Sequence, residues 1–147
     1  MTTGLFLGTG MFSNRLAGSD WDVWLRWLSL CLWLGVIYFG SSQQGVSAVP
    51  SYWLDWVIKK SLHLIEYGLL GILLWRVLQV YLADRAGRWW AWMLVLMFAS
   101  SDEIHQLWVP SRTGRWFDVM IDLTGAGLAL CCWPWLLRQL KSCVKLR

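Results

Sequence analysis

Charge is what this sequence has least of: Asp, Glu, Lys and Arg make up 15% of its 147 residues, against 57% hydrophobic. A soluble domain carries about 25% charged residues. Too little charge is present here to cover a water-exposed surface, so a soluble globule is excluded. Disorder is excluded by the same apolar excess. Only two histidines occur. The four cysteines lack the paired spacing of a zinc or redox site, so they are read as structural or free thiols. There is no nucleophile motif, no glycine-rich phosphate loop, no internal repeat and no low-complexity tract.

What fills the chain is long apolar runs and 14 tryptophans. A membrane span takes about 20 residues, and the runs give spans near 21–39, 62–81, 89–108 and 116–137. The expected fold is all-α: a polytopic membrane protein, a four-transmembrane-helix bundle occupying residues 21–137. Residues 1–20 lack a basic start and a small-residue cleavage site, and are read as a segment on the membrane surface rather than a removed signal. Residues 138–147 form a basic tail. Between Ser41 and Lys60, YWLDWV reads as a short interfacial turn, and Pro134 as part of the closing turn of the last span.

Tryptophans gather at both sets of span ends: Trp21, Trp24, Trp27, Trp89, Trp90, Trp92, Trp133 and Trp135 at one, Trp53, Trp56, Trp108 and Trp116 at the other. This is the aromatic-belt pattern of a ring at headgroup level. Lysine and arginine favour the side of the termini by nine to four, counting Arg15, Arg26, Arg76, Arg85, Arg88, Arg138, Lys141, Lys145 and Arg147 against Lys59, Lys60, Arg112 and Arg115. The positive-inside rule then puts both termini in the cytoplasm of a cell-membrane protein.

Polar residues converge at the opposite, extracytoplasmic end. Lys59, His63 and Glu66 recur at steps of four and three on the second span, with Tyr67 beside them. Asp102, Glu103 and Gln106 close the third span, His105 lying on its flank. Arg112 and Arg115 occupy the loop, and Asp118 and Asp122 open the fourth span one turn apart. Ionisable groups at membrane depth face a bundle interior or wet cavity and point to function. A polar cleft at the outer end is therefore expected. The bland alternative is interhelical hydrogen bonding that holds the helices together. Gly68 and Gly71, with Gly125 and Ala129, are read as small residues that let backbones approach.

The pieces IYFGSSQ, KKSLHLIEYGLLG and SDEIHQLWVPSRTGRWFDVMIDLTGAG, between Ile37 and Gly127, resemble the VanZ-like family of small integral membrane proteins. Ser111 stands where glycine is common in the family, and Asp122 where many members have asparagine. The resemblance places Lys60, His63, Glu66, Tyr67, Glu103, Gln106, Arg112, Asp118 and Asp122 on the family's characteristic positions. The founding member is linked to reduced susceptibility to teicoplanin, a glycopeptide directed at lipid-linked cell-wall precursors.

Two functions fit these residues. One is a cell-envelope protein whose outer site binds or shields an anionic ligand: a lipid-linked precursor, a lipid phosphate or a peptide carboxylate, with arginine as the oxyanion partner. Lys60, Tyr67, Gln106, Arg112 and Asp122 are the candidate ligand-binding residues. The other is a membrane-embedded hydrolase or transferase, with Glu66, Glu103 or Asp118 as general base and His63 as proton shuttle. A metal-assisted variant of this enzyme would draw on His63, Glu66, Glu103, Asp118 and Asp122, but no metal is assigned, because Arg112 and the lysines can neutralise these carboxylates without an ion. Cofactor, oligomeric state and substrate stay open. Membrane lipids are the expected partners, and nucleic acid is not.

Overall fold

The computed structural model describes residues 19–43, 49–110 and 112–145. Within them lie four helices and no strand: α1 (Asp20–Ser41), α2 (Tyr52–Leu78), α3 (Asp84–Gln106) and α4 (Trp116–Lys145). The described residues are all-α, as the long apolar runs imply. Most of the segment 1–20, expected on the membrane surface, falls outside the described residues, as do Ser111 and most side chains of the basic tail.

Three helices are long and apolar enough to cross a membrane: Asp20–Ser41, Tyr52–Leu78 and Trp116–Gln139. The span starts expected from hydropathy differ from the helix starts in an instructive way. α2 begins at Tyr52, not near Leu62, because YWLDWV is its first turns rather than a separate interfacial turn. Asp55 and Lys59, four apart, pair at 2.7 Å on that helix. α3 likewise starts at Asp84, whose carboxylate takes hydrogen bonds from Trp75 Nε1 at 3.1 Å and Gln79 Nε2 at 3.3 Å. Surface charge marks the end of an apolar run without ending a helix. Pro134 lies inside α4, near the end of the apolar stretch Trp116–Gln139, and the helix continues past it to Lys145. Neighbouring helices and local adjustment let such a helix tolerate the lost hydrogen bond.

α2 and α4 run parallel and make the most extensive contact in the molecule, with α3 packed against both. α1 leans on α2 and touches α3 lightly, and among the described residues it does not reach α4. Leu70, Ala91, Val95, Ala99 and Ala126 form the fully buried centre. Arg26 fastens α1 near its start, gripping Asp22 through Nε at 3.1 Å and Nη2 at 2.8 Å while Nη1 donates to the Arg76 carbonyl at 2.7 Å. Leu25, Leu28, Leu32 and Val36 stay exposed on α1, an apolar surface that lipid covers at no cost in hydration. Trp92 is not a belt residue: it is half-buried, and its Nε1 donates to the Leu123 carbonyl of α4 at 3.2 Å.

The α2–α4 seam depends on missing side chains. A Cβ on Gly68 would lie 3.2 Å from the Gly125 carbonyl oxygen, and one on Gly71 would lie 3.2 Å from Ala126 Cβ. At Gly125 there is no room at all, because a Cβ would collide with the Leu64 backbone carbonyl. Gly125→Ala should therefore force the helices apart and cost about 1–3 kcal/mol, a typical overpacking penalty. Gly127→Ala, whose Cβ would find only Trp92 Nε1 at 3.7 Å, should melt like the parent. Thermal melting of both variants in detergent checks the contrast, and equal melting temperatures would refute the seam.

Candidate functional site

Because α2 and α4 are parallel and in close contact, their first turns present side chains to one another at matching depth. Lys60 Nζ forms a short ion pair with Asp118 Oδ1. One turn further into the bundle, His63 Nδ1 lies 3.2 Å from Asp122 Oδ1, and the His63 ring stacks parallel to Tyr67 with centroids 6.4 Å apart. Asp122 and Tyr67 are almost wholly buried. The Tyr67 hydroxyl sits near Asp102 without meeting it in hydrogen-bonding geometry.

α3 closes the third side. Gln106 Nε2 donates to Asp102 Oδ2 at 2.8 Å, one helical turn back. Glu103 is buried, and its Oε2 accepts the Arg115 backbone N–H at 2.5 Å, pinning the loop between α3 and α4. Gly114 makes this possible: it presses on the Glu103 carbonyl so closely that a Cβ would strike it. Glu103 Oε1, Asp122 Oδ2, Tyr67 Oη and Ser41 Oγ are buried without a hydrogen-bond partner among the described residues, one from each helix.

Arg112 behaves differently from the sequence expectation. Its Nε donates to the Gln43 carbonyl at 3.1 Å and its Nη2 to the Gly40 carbonyl at 2.9 Å. The guanidinium thus caps the C-terminal end of α1, where the helix leaves carbonyls unsatisfied and carries partial negative charge. Asp118 pairs with Lys60. His105 lies on the flank, as its register implies, beside Tyr38 with ring centroids 5.0 Å apart and Ser42 Oγ at 3.2 Å from its Nε2.

These elements enclose a cavity of about 420 Å³ at the end of the bundle where α2 and α4 begin. Of the residues singled out in the sequence, Lys60, His63, Glu66, Gln106, Arg112 and Asp118 line it, as do Asp102 and Arg115. Tyr67, Glu103 and Asp122 do not: they stand behind the wall and hold the lining residues in place. Trp108 and Trp116 face outward at 82% and 76% exposure, while Tyr52 and Trp56 line the cavity. Ser41, buried at the cavity wall with its hydroxyl unpartnered, and Asp55 were missed in the sequence. Asp55 had a signal in its i,i+4 spacing to Lys59. Ser41 had only its place in IYFGSSQ. Among the described residues no group of three or more His, Cys, Asp or Glu is arranged to hold a metal ion.

Long apolar helices surrounding an internally paired polar end define a multi-pass membrane protein. The VanZ/LLP1 family model matches residues 26–138, and the chain belongs to that family. No curated protein and no solved structure matches it significantly.

Removing one partner of a buried pair leaves an uncompensated charge. Lys60→Met should accordingly destabilise the protein by about 1–3 kcal/mol by stranding the buried Asp118, less than for a fully buried pair because Lys60 itself is only partly buried. The double variant Lys60→Met/Asp118→Leu should recover most of that loss. Melting curves of the single and double variants in detergent decide it; a single variant as stable as the parent would mean that the pair holds nothing together.

Proposed function

We propose that this chain is an envelope protein in which α3 completes a fourth span, the cavity opens on the extracytoplasmic face, and its occupant is an oxyanion-bearing ligand. A lipid phosphate, a lipid-linked precursor and a peptide carboxylate share that chemistry. The observation that carries the reading is Arg115. It lines the cavity, is exposed, and its guanidinium has no partner among the described residues. A planar fork with free donors is suited to two oxygens of one phosphate or carboxylate. The excess of Lys and Arg on the opposite side supports the orientation. Support for the fourth span comes from the buried Ala91, Val95 and Ala99 of α3, packed between α2 and α4.

Binding is favoured over catalysis by the pairings themselves. Three of the four candidate acid–base residues, His63, Glu103 and Asp118, are engaged by protein groups and would first have to be released, which leaves Glu66 as the one uncommitted base among the described residues. Lowered susceptibility to a teicoplanin-type glycopeptide follows from this reading only where the bound ligand is the precursor that such an antibiotic targets.

Two measurements test it. In a background without the native cysteines, Thr113→Cys should react with a membrane-impermeant maleimide in intact cells, whereas Arg85→Cys should react only after the cells are opened. The reverse pattern would overturn the orientation. Arg115→Gln should weaken phosphatidylglycerol binding to the purified protein about tenfold, the usual scale for losing a charged hydrogen-bonding partner. Unchanged binding would remove the oxyanion reading.

A further inference from the structure

The cavity is lined by charged groups of both signs, and the protein consumes most of them internally. Lys60 holds Asp118, Lys59 holds Asp55, His63 faces Asp122, Gln106 engages Asp102, and Arg112 caps α1. Two remain. One is the Arg115 guanidinium; the other is the half-buried carboxylate of Glu66, which has no hydrogen-bond or ion-pair partner among the described residues. Glu66 is nonetheless held in position, because its backbone carbonyl accepts Trp33 Nε1 from α1 at 3.0 Å. An unpaired carboxylate in a half-buried wall is costly to keep charged. A cationic group from outside would compensate it.

Resting on the oxyanion reading of Arg115, we propose that the cavity's ligand is a zwitterion, with a primary ammonium on Glu66 and a phosphate on Arg115. A phosphoethanolamine headgroup has that chemistry, whether carried by a lipid or free. Its ammonium donates N–H bonds to the carboxylate, while its phosphate takes the guanidinium fork. A choline headgroup carries the same charges but has no N–H to give. A glycerol headgroup has the phosphate without the cation.

The test is a binding titration of the purified full chain by native mass spectrometry, with phosphatidylethanolamine, phosphatidylcholine and phosphatidylglycerol of identical acyl chains. The parent should bind phosphatidylethanolamine about tenfold more tightly than either of the others. Glu66→Gln should erase that preference and leave phosphatidylglycerol binding intact, with a melting curve showing that the variant is folded. Arg115→Gln should weaken all three. Equal binding of the three lipids by the parent, or a preference that survives in Glu66→Gln, would overturn the zwitterion while leaving the oxyanion reading in place if Arg115→Gln still weakens binding. If Arg115→Gln changes nothing, both fall. Displacement of the lipid by free O-phosphoethanolamine would assign the soluble form as sufficient. Failure to displace would assign the lipid; in either case the same two residues read the headgroup.

Discussion

The close approach of α2 to α4 is the constraint on which the rest of the molecule depends. Gly125 lies directly against the Leu64 carbonyl, and only a hydrogen at that position permits it. Two parallel helices at that separation bring Lys60 to Asp118 and His63 to Asp122 as successive rungs. Separation of the helices would lengthen both rungs and weaken the partners of the buried carboxylates. Backbone packing and charge pairing therefore stand or fall together, which is why the small residues and the ionisable ones occupy consecutive turns of the same two helices.

From that seam the cavity follows. α3 covers it and contributes Glu103, whose one oxygen fixes the following loop through the Arg115 N–H. The loop in turn sends Arg112 across to α1, holding the end of the most loosely packed helix to the site. Most of the conspicuous charges thus have structural work, and the chemistry left over is small: one carboxylate and one guanidinium lining the same cavity. A site with so few uncommitted groups suits recognition of a headgroup better than bond cleavage. It also helps a polar end survive in an apolar bundle, since pairing offsets part of the desolvation penalty.

Much of this was legible in the residues. Apolar runs and tryptophan belts located the helices, the three- and four-residue spacing of Lys59, His63 and Glu66 put them on one face, and Gly68, Gly71, Gly125 and Ala129 marked the seam. Helix starts were less legible, because a surface charge such as Asp55 or Asp84 ends an apolar run without ending a helix. Pairings were least legible. Periodicity says that Asp118 and Arg112 are at similar depth, but only the parallel register of α2 and α4 decides that Lys60 reaches Asp118 first. Arg112 lines the cavity as expected, but two of its guanidinium nitrogens also donate to carbonyls that no pattern of side chains reveals. Trp92 likewise looks like a belt residue until α4 supplies a carbonyl for its N–H.

A high-resolution structure of the protein in a lipid bilayer would test the central claim most directly. It should show headgroup-sized density in the cavity bridging Glu66 and Arg115, with the Lys60–Asp118 pair intact beside it. A cavity holding water alone, or a phosphate seated on Lys60 with Asp118 released, would contradict it.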